Sequence, residues 1–128
     1  MKLSRVHHIA IICSNYEISK KFYTEILNLK IIKETYRSER ESYKLDLAVG
    51  EHYQIELFSF KEVPTRPSNP EAAGLRHLAF EVGDVQEHIN ELLKHGIVTE
   101  PIRIDELSNK KFTFFADPDG LPLELYEK

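Results

Sequence analysis

Two short signatures recur along this chain at nearly one spacing, and that recurrence limits the fold more than any other feature. Val6-His7-His8-Ile9-Ala10-Ile11 and Leu75-Arg76-His77-Leu78-Ala79-Phe80 both read apolar, any residue, His, apolar, Ala, apolar. Gln54-Ile55-Glu56-Leu57-Phe58 and Pro122-Leu123-Glu124-Leu125-Tyr126 both read any residue, apolar, Glu, Leu, aromatic. His8 and His77 lie 69 positions apart (77 − 8), Glu56 and Glu124 68 (124 − 56). A period of this length marks one supersecondary unit used twice. The 128 residues therefore read as a single domain of two modules, about 1–63 and 74–128. Pro64, Pro67 and Pro70 mark the segment between them, 64–73, as a connecting loop.

The modules share an element order. After the first His segment, Ser14-Asn15-Tyr16-Glu17 has a capping-box pattern, and Ile18, Phe22, Ile26 and Leu29 follow at helical spacing. After the second, Asp84 with Glu87 three residues on starts a helix striped by Val85, Ile89, Leu92 and Leu93, and Gly96 is its expected stop. Strands are expected over Lys30–Thr35, Tyr43–Ala48 and Tyr53–Phe58, then Val98–Arg103, Phe112–Phe115 and Leu121–Tyr126. Asp117-Pro118-Asp119-Gly120 is a turn sequence. The fold class is α+β, with β-α-β-β-β repeated.

Strand alternation then sorts the side chains. Ile9 and Ile11, and Leu78 and Phe80, take the face that packs on a helix. His8 and His77 take the other, each beside a small Ala. Ile55, Leu57, Leu123 and Leu125 face the helices, which leaves Glu56 and Glu124 on the His face. A carboxylate among apolar neighbours is costly unless it is paired or binds a cation. Two imidazoles and two carboxylates suit one divalent ion, with Zn or Ni expected first and Co, Mn or Fe also compatible. Such a set leaves coordination positions for a substrate. The other histidines fit less well: His7 has the wrong parity, His52 adjoins a turn, and His88 and His95 belong to the second helix. Cys13 shares parity with Ile11 and reads as a core thiol. Arg37 and Arg40, in a loop between strands, are candidates for binding an anionic substrate together with Phe58.

Composition removes other classes. Seventeen Lys and Arg against twenty-one Asp and Glu give a net charge of −4, without the basic excess of a nucleic-acid binder. One cysteine excludes an intramolecular disulfide framework. The apolar run at the N-terminus is too short for a signal peptide or a membrane span, so a cytoplasmic location without a membrane partner is expected.

The motifs HHIAI, YQIELFSF, GLRHLAFEV and FADPDGLPLELYE resemble those of the vicinal oxygen chelate superfamily, small bacterial glyoxalase-like proteins in particular. The resemblance implies two curled mixed sheets around a metal cleft. The order His8, Glu56, His77, Glu124 resembles glyoxalase I (lactoylglutathione lyase), whereas extradiol dioxygenases and fosfomycin-resistance transferases of the superfamily use two His and one Glu. The implied mechanism is enediolate chemistry. The metal holds two vicinal oxygens, and a ligand Glu carries a proton between adjacent carbons, with Glu124 as the shuttling base and Glu56 as the alternative. Two departures bear on the substrate. Glyoxalase I carries Arg where Ile12 stands and Asn where Phe60 stands, both used to bind glutathione. The expectation is a lyase or isomerase acting on a different thiol hemithioacetal or a small vicinal-oxygen compound. The alternative is a small-molecule binding or sequestering protein of the bleomycin-resistance type. A homodimer is the expected assembly.

Overall fold

A computed structural model describes all 128 residues. The chain divides into two compact units, Met1–Thr65 and Arg66–Lys128. In the first, β1 (Ile9–Cys13), α1 (Tyr16–Lys21), β2 (Lys30–Arg37), β3 (Ser42–Val49) and β4 (Tyr53–Ser59) form a four-stranded sheet in the order β1-β4-β3-β2. In the second, β5 (Leu78–Val82), α2 (Val85–Lys94), β6 (Arg103–Ile104), β7 (Lys111–Ala116) and β8 (Pro122–Glu127) form a sheet in the order β5-β8-β7-β6. Each sheet is mixed: β1 runs parallel to β4 and β5 to β8, and the remaining neighbours are antiparallel. The fold is α+β, with the β-α-β-β-β order present twice.

The helix face of each sheet carries the core. Leu45, Leu47, Ile55 and Leu57 are fully buried in the first unit, and Val85, Thr113 and Leu123 in the second. Cys13 is likewise buried, as its parity with Ile11 predicted. α2 follows its sequence closely. Asp84 accepts the Glu87 amide at 3.0 Å as N-cap. At its end Ile97 N–H donates to the Leu92 carbonyl and Gly96 N–H to that of Leu93, with Gly96 at φ 74, a Schellman ending that needs a residue tolerant of positive φ. The turn before β8 is also as expected. Asp117 accepts the amides of Asp119 and Leu121, both at 2.9 Å.

Four local expectations are corrected. The cap of α1 is Asn15, whose side chain accepts the Ile18 amide at 3.1 Å, rather than Ser14. Its stripe keeps Phe22 but otherwise differs: Tyr16, Ser19 and Tyr23 are buried while Ile18 is exposed. α1 widens into a π-helical turn over Phe22–Ile26, closed by Leu27 N–H on the Phe22 carbonyl. There the Thr24 hydroxyl takes the Lys20 carbonyl at 2.7 Å, in competition with the backbone ladder. In α2, Leu93 is 60% exposed, so Val85 and Leu92 carry the contact. The strand expected over Val98–Arg103 is reduced to Arg103–Ile104. Glu100 still pairs with β7, its N–H donating to the Phe114 carbonyl and its carbonyl accepting from the Thr113 hydroxyl. Pro101 then interrupts the ladder because it has no N–H to give.

Because Asn15 satisfies an otherwise orphaned amide at the head of a six-residue helix, Asn15→Ala is expected to destabilise the protein by about 1 kcal/mol. Urea titration of the variant against the wild type checks the assignment.

Candidate functional site

The parallel pairings place the repeated residues at matched positions. Ala10 lies opposite Glu56, and Ala79 opposite Glu124. His8 and His77 each sit one residue before the strand, β1 and β5, that was expected to contain them. His8 Nε2 is 3.5 Å from Glu56 Oε2, and His77 Nε2 is 3.1 Å from Glu124 Oε2. Each Glu side chain is buried, with 11% of its surface exposed, whereas the imidazoles keep 40% and 38% of theirs open. Each unit therefore presents one N,O pair, rooted in a sheet and open on one side.

These distances suit a divalent ion. Two ligands about 2.1 Å from one ion, at angles of about 90–110°, lie about 3.0–3.4 Å apart, close to what each pair shows. Imidazole with carboxylate is also a donor set that borderline ions accept. No group of three or more His, Cys, Asp or Glu side chains is placed to hold an ion; the structure brings together His8 with Glu56 and His77 with Glu124.

The surroundings of the two pairs differ. On β3, Asp46 lies directly opposite Glu56, and Lys44 opposite Phe58. The Lys44 ammonium is 2.9 Å from Asp46 Oδ1 and 3.1 Å from Glu56 Oε1. Asp46 first, then Glu56, hold its pKa above the ordinary lysine value, against the opposing effect of partial burial. In the second unit Phe114 lies opposite Glu124 and Phe112 opposite Tyr126. His77 meets the Phe114 ring edge to face at 5.1 Å. The Arg103 guanidinium lies 5.0 Å from the Phe112 ring centroid and 5.3 Å from that of Phe114. Beside them a cavity of about 590 Å³ is lined by Arg76, His77, Glu100, Arg103 and Phe114 among others.

Of the residues expected to bind substrate, Arg37 ends β2 with its guanidinium 4.8 Å from the Phe58 ring centroid. It also lies 5.8 Å from that of Phe60 and donates to the Ser42 hydroxyl at 2.7 Å. Arg40 is exposed in the 3₁₀ turn Ser38–Arg40. Ile12 and Phe60 are exposed. His52, His88 and His95 are exposed as expected, and His7 contacts His8, with Nδ1 atoms 2.9 Å apart. Lys44 and Asp46 were missed from sequence. The available signal was their even parity with Glu56 across the β3–β4 hairpin, which becomes useful only once the register is known.

The sequence matches the Glyoxalase/Bleomycin resistance protein/Dioxygenase superfamily over residues 5–125. It is 61% identical over the full length of both chains to the uncharacterized protein YwkD of Bacillus subtilis. It is 28% identical to the metallothiol transferase FosB of Staphylococcus epidermidis, covering 98% of this chain and 83% of that one. Among solved structures, a glyoxalase family protein from Enterococcus faecalis superposes with a TM-score of 0.91 at 50% identity, covering 99% and 100% of the two chains. The trypanothione-dependent glyoxalase I of Leishmania major does so with a TM-score of 0.75 at 27% identity, covering 98% and 87%.

Proposed function

We propose, since the chain belongs to the Glyoxalase/Bleomycin resistance protein/Dioxygenase superfamily, that it is a metal-dependent lyase or isomerase of the glyoxalase type. Members of the superfamily commonly bind a divalent metal and act on or bind small molecules. The finer reading is that His8, Glu56, His77 and Glu124 are the ligands of one ion, Zn or Ni first. The observation that carries it is the paired geometry: two buried carboxylates, each with an imidazole nitrogen 3.1–3.5 Å away. A buried carboxylate calls for a charge partner; Glu56 has the Lys44 ammonium as well as His8, and Glu124 has His77.

When bound, the divalent ion supplies Lewis acidity toward two neighbouring substrate oxygens, which makes the adjacent C–H bond more acidic. The chain's own groups do the rest. Glu124, whose carboxylate stands 3.1 Å from His77 Nε2, would take the proton from one carbon and return it to the next. Glu56 is the second candidate for that role. Arg37, stacked on Phe58, and Arg40 orient an anionic group of the substrate. Ile12 and Phe60 can neither neutralise a carboxylate nor hydrogen-bond an amide, which favours a thiol adduct other than that of glutathione, or a small vicinal-oxygen compound. In this reading residues 1–63 and 74–128 are two modules of one domain, and the working assembly is a homodimer in the cytoplasm.

A second reading, a binding protein without turnover, draws on the cavity beside His77 with its stacked Arg103. It leaves both His–Glu pairs without a task, which is why the enzyme reading leads.

The test is the divalent metal content of untagged protein, measured by elemental mass spectrometry for wild type and Glu56→Ala. About one ion per chain in the wild type, lost in the variant, is the expected result. No ion after incubation with Zn, Ni, Co or Mn would overturn the reading in favour of the binding protein.

A further inference from the structure

The two halves of the repeat match in backbone register but not in what surrounds the carboxylate. Across the first sheet one row runs Ala10, Glu56, Asp46, and the next Ile12, Phe58, Lys44. Across the second the same rows run Ala79, Glu124, Phe114, and Glu81, Tyr126, Phe112. Asp46 and Lys44 thus occupy the places that Phe114 and Phe112 hold in the other copy. The carboxylate of Glu56 is divided between two partners, Oε1 at 3.1 Å from the Lys44 ammonium and Oε2 facing His8. Glu124 has His77 as its charge partner, and Phe112 holds the register place that Lys44 holds in the first sheet.

We infer that Lys44 is a positioning residue of the first half-site, and that it makes the two glutamates unequal as ligands. Asp46 and Glu56 are direct cross-strand neighbours of like charge, an arrangement that repels. Lys44 bridges them at 2.9 and 3.1 Å. The bridge engages Oε1, so Glu56 offers a cation one oxygen, already oriented beside His8. A ligand ordered in advance loses less freedom on binding than one that must be ordered then. Partners that orient metal ligands have large effects for this reason. Glu124 lacks such an anchor and is the carboxylate free to change its contacts. The inference rests on the four-ligand reading above and adds to it a division of labour: Glu56 holds, Glu124 moves.

The test is a mutant cycle read as Zn(II) or Ni(II) affinity, by competition with a chromophoric chelator at neutral pH. Lys44→Met is expected to weaken binding about tenfold or more, and Lys44→Arg to recover most of the loss. In a Glu56→Gln background Lys44→Met should add less than about a twofold change, whereas in a Glu124→Gln background it should still cost about tenfold. Simple charge repulsion between an ammonium and a dication predicts the reverse sign. Unchanged or tighter binding by Lys44→Met would therefore overturn the inference, as would an equal loss in both glutamine backgrounds. Should Lys44→Met fail to fold, Lys44→Gln carries the same cycle with a hydrogen-bond donor retained on a shorter, uncharged side chain. A wild-type protein that binds neither ion overturns this inference and the proposed function together. A wild type that binds, with Lys44 indifferent, overturns this inference alone.

Discussion

Glu124→Gln is expected to lower turnover by about 10²- to 10⁴-fold, the usual range for removing a general base, while KM moves little. The assay uses the first thiol hemithioacetal or vicinal-oxygen compound that the wild type converts, with the metal added to saturation. Saturation matters because Glu124 stands 3.1 Å from His77 and is a proposed ligand as well as the proposed base. Glutamine keeps the size and one oxygen of the side chain, but its amide does not accept a proton near neutral pH. A ligand role alone predicts that added metal restores the rate. A base role predicts that the loss persists at full occupancy. Glu56→Gln under the same conditions separates the two glutamates: an equal or larger persistent loss there would move the base to Glu56.

Leu57→Ala is expected to destabilise the metal-free protein by about 2–5 kcal/mol, the range for emptying a leucine site in a packed core. Leu57 is fully buried, and its register partners on either side, Ile11 and Leu45, are buried as well. The three form a row on the helix face, opposite the one that carries Glu56. Strands on both sides restrict how far the site can collapse around the missing atoms. Leu93→Ala provides the contrast, because Leu93 is 60% exposed on α2 and alanine favours a helix. Its cost should stay within about 0.5 kcal/mol. Urea unfolding in the presence of a chelator compares the two. A smaller loss at Leu57 than at Leu93 would contradict the assignment of the core face.

The same row arrangement explains how much was legible in the sequence. Glu56 and Leu57 are consecutive, so strand alternation alone sends them to opposite faces. The repeat then identifies Glu124 and Leu125 as their counterparts. α2 was legible in the same way, because Asp84, Glu87 and Gly96 are local signals whose hydrogen bonds stay within the element. α1 was less so. Of its periodic apolar residues Phe22 is buried but Ile18 is exposed, Tyr23 is buried outside that period, and the π turn at Phe22–Ile26 shifts the phase of everything after it. The strand expected from Val98 was lost to Pro101, whose effect depends on whether its missing N–H was needed by a neighbouring strand.

What the amino-acid order determined by itself was the repeated α+β module, the face on which His8, Glu56, His77 and Glu124 lie, and the family resemblance that the superfamily match bears out. Those properties follow from periodicity and from a duplication, and both can be read along a line. Only the tertiary structure decided which residues stand beside each glutamate. Asp46 is 10 positions from Glu56 in sequence (56 − 46) but its direct neighbour across the sheet, whereas the matched place beside Glu124 holds Phe114. Strand register sets those neighbours, and register is fixed by burial of one sheet face together with turn geometry, which only the assembled sheet brings together. The difference between the two glutamates is therefore a property of the sheets, invisible in a repeat that otherwise makes them look alike.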